Sequence, residues 1–139
     1  MSERNARVVR AVYDAFGKGD IPAILSYLTD DTHWDFNVDA SPVPWHVPVT
    51  KKDDIAPFVT AFVESVEIEK FEAKEFIHCG EHVVVRVHIA YKVRRTGRKV
   101  NMEQLNLWTL RDGKVSRLRH FEDTAAVLAA YGSGSAEGA

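Results

Sequence analysis

Four stretches of alternating apolar and polar residues follow one another with almost nothing between them. They run over residues 68–78, 82–94, 98–110 and 114–122, and the links are Gly80-Glu81, Thr96-Gly97 and Asp112-Gly113. Period-two alternation marks strands with one buried face. Short links containing glycine suit hairpin turns. Parallel neighbours need a crossover of a dozen or more residues, so these strands form an antiparallel meander. In a chain of 139 residues, that commits about two fifths of the length, residues 68–122, to one sheet. The rest must cover it.

The preceding residues read mainly as helix. Val8, Val9, Val12, Ala15 and Phe16 recur at helical spacing over residues 3–16, and Gly17-Lys18-Gly19-Asp20 stops the run. Asp20 caps a second helix, Ile21 to Leu28, with Pro22 where a missing N–H costs little. Asp30-Asp31 reads as a turn, and His33 to Val38 as a strand. Pro42, Pro44 and Pro48 make residues 39–50 a loop, which carries Trp45 and His46. A third helix runs from Asp53 to about Val66 with Phe58 and Phe62 on its apolar stripe. Asp123 caps a last helix, Thr124 to Tyr131. The expected organisation is a single domain over residues 1–131 with a flexible tail at 132–139. The expected class is α+β: a strongly curved, mostly antiparallel sheet wrapped with N-terminal helices into a cone-shaped half-barrel with an internal pocket.

Composition excludes several function classes. Lys plus Arg is 18 against 20 Asp plus Glu, a net charge of −2. No overall basic field exists to gather nucleic acid or an anionic membrane. The basic run from Lys92 to Lys99 reads as a solvated hairpin tip. Cys79 is the single cysteine, no metal-ligand spacing occurs among the six histidines, and no glycine-rich phosphate loop is present. Neither a metal nor a cofactor is expected. The beginning of the sequence lacks an apolar leader stretch, so the expected location is cytoplasmic.

The run Ala11-Val12-Tyr13-Asp14-Ala15-Phe16, then Gly19-Asp20, then Tyr27-Leu28-Thr29-Asp30-Asp31 before Trp34, resembles the nuclear-transport-factor-2-like superfamily. Asp112-Gly113-Lys114-Val115 and Arg117 to Asp123 extend the likeness. Within that superfamily the chain is similar to the SnoaL-like polyketide cyclases and the ketosteroid isomerases. The resemblance implies that one face of each late strand lines a cavity: Met102, Gln104, Asn106 and Trp108 on the third, Leu118, His120 and Glu122 on the fourth. Trp34 and Phe36 face it from the first strand, Phe58 and Phe62 close it from the helix, and Tyr13 reaches it from the first helix. Trp45 is either a lid at the mouth or a dimer contact. Which face of residues 82–94 joins the wall stays open.

His120 is the first candidate for chemistry, because imidazole gives and takes a proton near neutral pH. Glu122 would raise its proton affinity or orient its ring. Asn106, Gln104 and Tyr13 would donate to a developing oxyanion. The family pattern is broken in places. The base aspartate of the ketosteroid isomerases falls at Phe36, their oxyanion aspartate at Asn106, and their oxyanion tyrosine at Val12 or Tyr13. His120 replaces an acid of the limonene epoxide hydrolases. The expected function is therefore a cofactor-independent isomerase-, cyclase- or hydrolase-like enzyme acting on a small hydrophobic carbonyl compound, with His120 as proton shuttle. The alternatives are a non-catalytic carrier of an apolar molecule and a dimeric interaction scaffold. Leu105 and Leu107 make the third late strand apolar on its second face too, which predicts a homodimer through the outer face of the sheet.

Overall fold

The computed structural model describes residues 2–38 and 41–132. Helix α1 (Ser2–Lys18) and helix α2 (Ile21–Ser26) precede strand β1 (Leu28–Asp35). A 3-10 turn (Lys52–Asp54) leads into helix α3 (Ile55–Ser65). Strands β2 (Val66–Cys79), β3 (His82–Val93), β4 (Lys99–Arg111) and β5 (Lys114–Phe121) follow, and helix α4 (Thr124–Tyr131) ends the described chain. The sheet order is β1-β5-β4-β3-β2. The four late strands form the expected antiparallel meander, and β1 joins it parallel to β5. This is an α+β architecture with a curved five-stranded sheet. Among the described residues no helix is long and apolar enough to cross a membrane.

Local chemistry explains the helix ends. At the end of α1, the Gly19 N–H donates to Phe16 and the Asp20 N–H to Ala15, with Gly19 at φ 65°. That is the left-handed cap for which glycine is suited. Asp20 then accepts from the Ala23 N–H at 3.1 Å and starts α2. The last described residue, Gly132, is the left-handed cap of α4. It belongs to that helix end rather than to a tail, and the remainder of the predicted tail, 133–139, lies outside the described residues.

Around β1 the structure corrects the sequence reading. Asp30 and Asp31 lie inside β1 and not in a turn, while Phe36 and Val38 lie beyond its end. The cause is the pairing with β5. Leu28 aligns with Val115, whose N–H donates to the Tyr27 carbonyl, and the register slips before His33. The slip leaves the two aspartates exposed, with Asp31 accepting from Arg111 at 2.7 Å.

Burial along the strands settles the faces. On β4, Val100, Met102, Gln104, Asn106, Trp108 and Leu110 are buried, and on β3 the odd residues Val83 to Val93. Two apolar clusters result. One lies under α1 and α3 around Trp34 and Trp108. The other lies under α4 around Trp45 and Tyr91. Register shifts after Ile68 and Ala73 interrupt β2, and such bulges bend and twist a strand. The cavity opens between the two clusters.

Candidate functional site

Cross-strand register assembles the polar wall of the cavity. Asn106 of β4 is the direct partner of His120 of β5, and Leu105 pairs with Phe121, so Gln104 comes level with Glu122 just past the strand end. Because side chains alternate, all four point to the concave side. Facing them, Phe36 stacks on Phe58 with ring centroids 4.8 Å apart, and its edge meets the His120 ring at 5.6 Å. Trp34 and Trp108 cross at 5.5 Å, and Trp108 meets Tyr13 at the same distance.

The cavity volume is about 140 Å³, with one side open. A closed cavity of about 150 Å³ takes benzene, so the space receives at least one ring. Tyr13, Trp34, Phe36, Trp45, Phe58, Phe62, Gln104, Asn106, Trp108, Leu118, His120 and Glu122 all line it. Met102 does not; it packs into the second cluster near Trp45. Trp45 itself is buried against Phe62, Tyr91 and Tyr131, so it forms a wall within this chain. None of the buried β3 residues reaches the cavity; they fill the core behind it.

A continuous line of hydrogen bonds runs along this wall. Ser41 Oγ is hydrogen-bonded to His46 Nδ1, and His46 Nε2 donates to Glu122 Oε2, each at 2.9 Å. His120 Nε2 donates to Glu122 Oε1 at 2.9 Å, and Gln104 Nε2 lies 3.5 Å from the same oxygen. His120 Nδ1 meets Asn106 Oδ1 at 2.5 Å. Asn106 Nδ2 and Trp108 Nε1 both donate to the Tyr13 hydroxyl oxygen, at 2.8 and 3.0 Å. The side chains of His46, Glu122 and His120 are 1%, 4% and 12% exposed.

His46 is the member that sequence reasoning missed. It lies in a proline-rich loop where no periodicity assigns a face. What carries it inward is a two-way backbone bridge between Trp34 and Val49, at 2.8 and 3.1 Å, which folds the loop back on β1. Ser41 adds a small local turn by accepting from the Val43 N–H. The only prior signal was a histidine flanked by Trp45 and Val47 in a proline-rich, nearly uncharged loop.

The electrostatics follow from this packing. Burial by itself pushes the Glu122 carboxyl up, but the hydrogen bonds from His120 and His46 outweigh it and hold it at about 2. Burial raises the Tyr13 hydroxyl well above the ordinary phenol value, although the bonds from Asn106 and Trp108 oppose this. Tyr13 is therefore a neutral donor and acceptor at physiological pH. The wall thus presents an ionised carboxylate clamped by two imidazoles, with an uncharged hydroxyl at its far end, in an otherwise aromatic cavity.

A family model described as a SnoaL-like domain matches residues 9–118. Among solved structures, an NTF2-like protein from Burkholderia xenovorans LB400 is 26% identical. Its TM-score is 0.85, with 94% of this chain and 98% of that one covered. TerC, co-crystallised with polyporic acid, is 25% identical at a TM-score of 0.82, with coverage of 92% and 98%. An LEH-like epoxide hydrolase of M. tuberculosis is 14% identical at 0.72, with coverage of 94% and 90%, a likeness of fold alone. No curated protein matches the chain.

Proposed function

This chain belongs to the SnoaL-like domain family, and from that membership we propose that it performs cofactor-independent acid–base chemistry on a small hydrophobic carbonyl compound, with the His120–Glu122 pair as the proton-handling group. One observation carries the reading: among the described residues, the one extended polar feature of the cavity is a hydrogen-bonded line centred on an imidazole and an ionised carboxylate. Both nitrogens of His120 already have protein partners. To pass a proton to a ligand, the ring must release Asn106 or Glu122, so the ligand's oxygen has to replace one of them. TerC, which was co-crystallised with polyporic acid, shares the fold over nearly its whole length, and this supports a small-molecule ligand for the present cavity. We read the location as cytoplasmic, consistent with a lone exposed cysteine.

The test is exchange of the α-protons of small cyclic ketones in D₂O, followed by proton NMR. Wild type is expected to accelerate exchange, and His120→Ala to lower the rate by about 100- to 10,000-fold. Equal rates in the two proteins would remove His120 from the chemistry. A carrier without catalysis is the second reading, favoured by the apolar character of the remaining wall. It requires tight retention of the ketone with no exchange above buffer.

We further propose that two copies associate through the convex face of the sheet. Leu105 is 50% exposed there, beside its register partner Phe121 at 39%, and Ile77, paired with Val84, continues the apolar surface across β2 and β3. Light scattering at micromolar concentration is expected to give a dimeric mass, and Leu105→Glu a monomeric one. A monomeric wild type would rule the association out.

A further inference from the structure

The hydrogen bonds along the cavity wall can be satisfied in two ways, and the two differ in what they offer a ligand. An ionised carboxylate only accepts, so His120 Nε2, 2.9 Å from Glu122, carries a hydrogen in both. What varies is Nδ1. With the ring doubly protonated, Nδ1–H donates to Asn106 Oδ1. Asn106 Nδ2 then donates to the Tyr13 oxygen, as does Trp108 Nε1. That oxygen is accepting twice, and its own hydrogen meets no acceptor among the described residues. It is left to the cavity that Tyr13 lines. With the ring neutral, Nδ1 becomes an acceptor. The Asn106 carboxamide, nearly symmetric in shape, turns over to offer Nδ2 to the ring and Oδ1 to Tyr13. Tyr13 then gives its hydrogen to Asn106, and the cavity receives none.

We propose that Asn106 is a two-way relay that makes the Tyr13 hydroxyl a donor to the ligand only when His120 carries both ring hydrogens. Asn106 is thus a positioning residue, acting through Tyr13. The chemical class of ligand follows. A one-ring molecule with a carbonyl or enolate oxygen is received by one protonation state of the site. A hydrocarbon of the same shape does not distinguish the two. Binding of the oxygen favours the doubly protonated ring, so binding takes up a proton. Reciprocally, the ligand raises the proton affinity of His120 by the same factor by which protonation raises ligand affinity.

The groups facing His120 fit this role. Glu122 beyond the end of β5 holds a negative charge against the ring, and His46 from the loop occupies the other carboxylate oxygen. Tyr13 of α1 lies beyond Asn106. Tyr91 of β3 responds to the charge of Glu122, and burial keeps both hydroxyls neutral across the range in which imidazole titrates. Gln104 and Phe36 complete the surround and carry no charge.

This deepens the reading of the cavity as a small-molecule site, but it is decided on the ligand-free protein, so one can fail without the other. The measurement is a pH titration of His120 ring signals and of the Tyr13 Cζ resonance by carbon and nitrogen NMR. In wild type the Tyr13 signal is expected to move with the His120 midpoint. In Asn106→Leu, or Asn106→Ala if the leucine variant does not fold, His120 is expected to titrate while Tyr13 stays flat. A merely electrostatic influence of the ring on Tyr13 would survive that change. A Tyr13 signal flat in wild type, or one that still follows His120 without Asn106, overturns the relay. So does a His120 that titrates nowhere in the folded range. Acetophenone is the ligand probe, with ethylbenzene as the oxygen-free control. Acetophenone is expected to raise the proton affinity of His120 by about fivefold or more, ethylbenzene to leave it unchanged, and Tyr13→Phe to abolish the rise. Equal effects of the two compounds overturn the assigned ligand class.

Discussion

Glu122→Ala is expected to lower the free energy of unfolding by about 3–5 kcal/mol, the range for removing one partner of a buried ionic cluster. The loss exceeds that of a surface pair because of what remains. His46 Nε2 and His120 Nε2 both donate to this carboxylate from positions that water scarcely reaches. Without it, two buried N–H groups lose their acceptor at once. Glu122→Gln keeps one acceptor oxygen and should cost less. The same carboxylate sets an acid limit. Its folded value of about 2 lies below its ordinary value of 4.5, so the unfolded chain binds the proton more readily. The stabilisation is complete above about pH 4.5 and disappears as pH falls toward 2. It amounts to something on the order of 3 kcal/mol. Urea titrations across that interval are expected to show this acid loss in wild type and not in Glu122→Gln. An acid limb of equal size in both would place the effect elsewhere.

Trp108→Ala is expected to cost about 3–5 kcal/mol as well, by a different mechanism. Trp108 is 1% exposed and lies edge-on to both Trp34 and Tyr13. Its removal leaves a void that the sheet on one side and α1 on the other are too stiff to fill. Its Nε1–H also supplies one of the two bonds to the Tyr13 oxygen. Trp108→Phe is the intermediate case, since it keeps a six-membered ring but loses the donor together with the volume of the smaller ring, for about 1–3 kcal/mol. Equilibrium denaturation of both variants measures the difference. A cost below about 1 kcal/mol for the alanine variant would mean that the neighbouring rings close the gap.

How much of this was legible in the sequence depended on whether a residue sat in a periodic segment. The three glycine turns and strand alternation put Gln104, Asn106 and Trp108 on one face of β4 and Leu118, His120 and Glu122 on one face of β5, but the choice of that face as the cavity wall came from the family resemblance, because a period of two groups side chains without saying which group points inward. The burial of Glu122 was harder to read. It lies one residue past β5, where alternation alone does not distinguish a rim from an interior, and the partner that covers it is His46. No local pattern reveals that partner, since its position depends on a bridge between Trp34 and Val49 across a loop. The start of β1 was hidden for a related reason. Asp30-Asp31 has the composition of a turn, and only the parallel pairing with β5, a contact of Leu28 with Val115, overrides that preference. Met102 had the correct face but sits too far along the cone. Alternation gives direction and not depth.

The sheet order leaves two strand edges open to solvent, and both discourage growth by strand addition. The β1 edge displays Asp30 and Asp31 and is partly taken by Val49. The β2 edge displays Glu67, Glu69, Lys70, Glu72, Lys74 and Glu75 and is broken twice by register shifts. Charges and bulges of this kind are what keep exposed strands from templating a neighbour. Edge-to-edge pairing of two molecules is therefore disfavoured, which blocks an open-ended ribbon of strands.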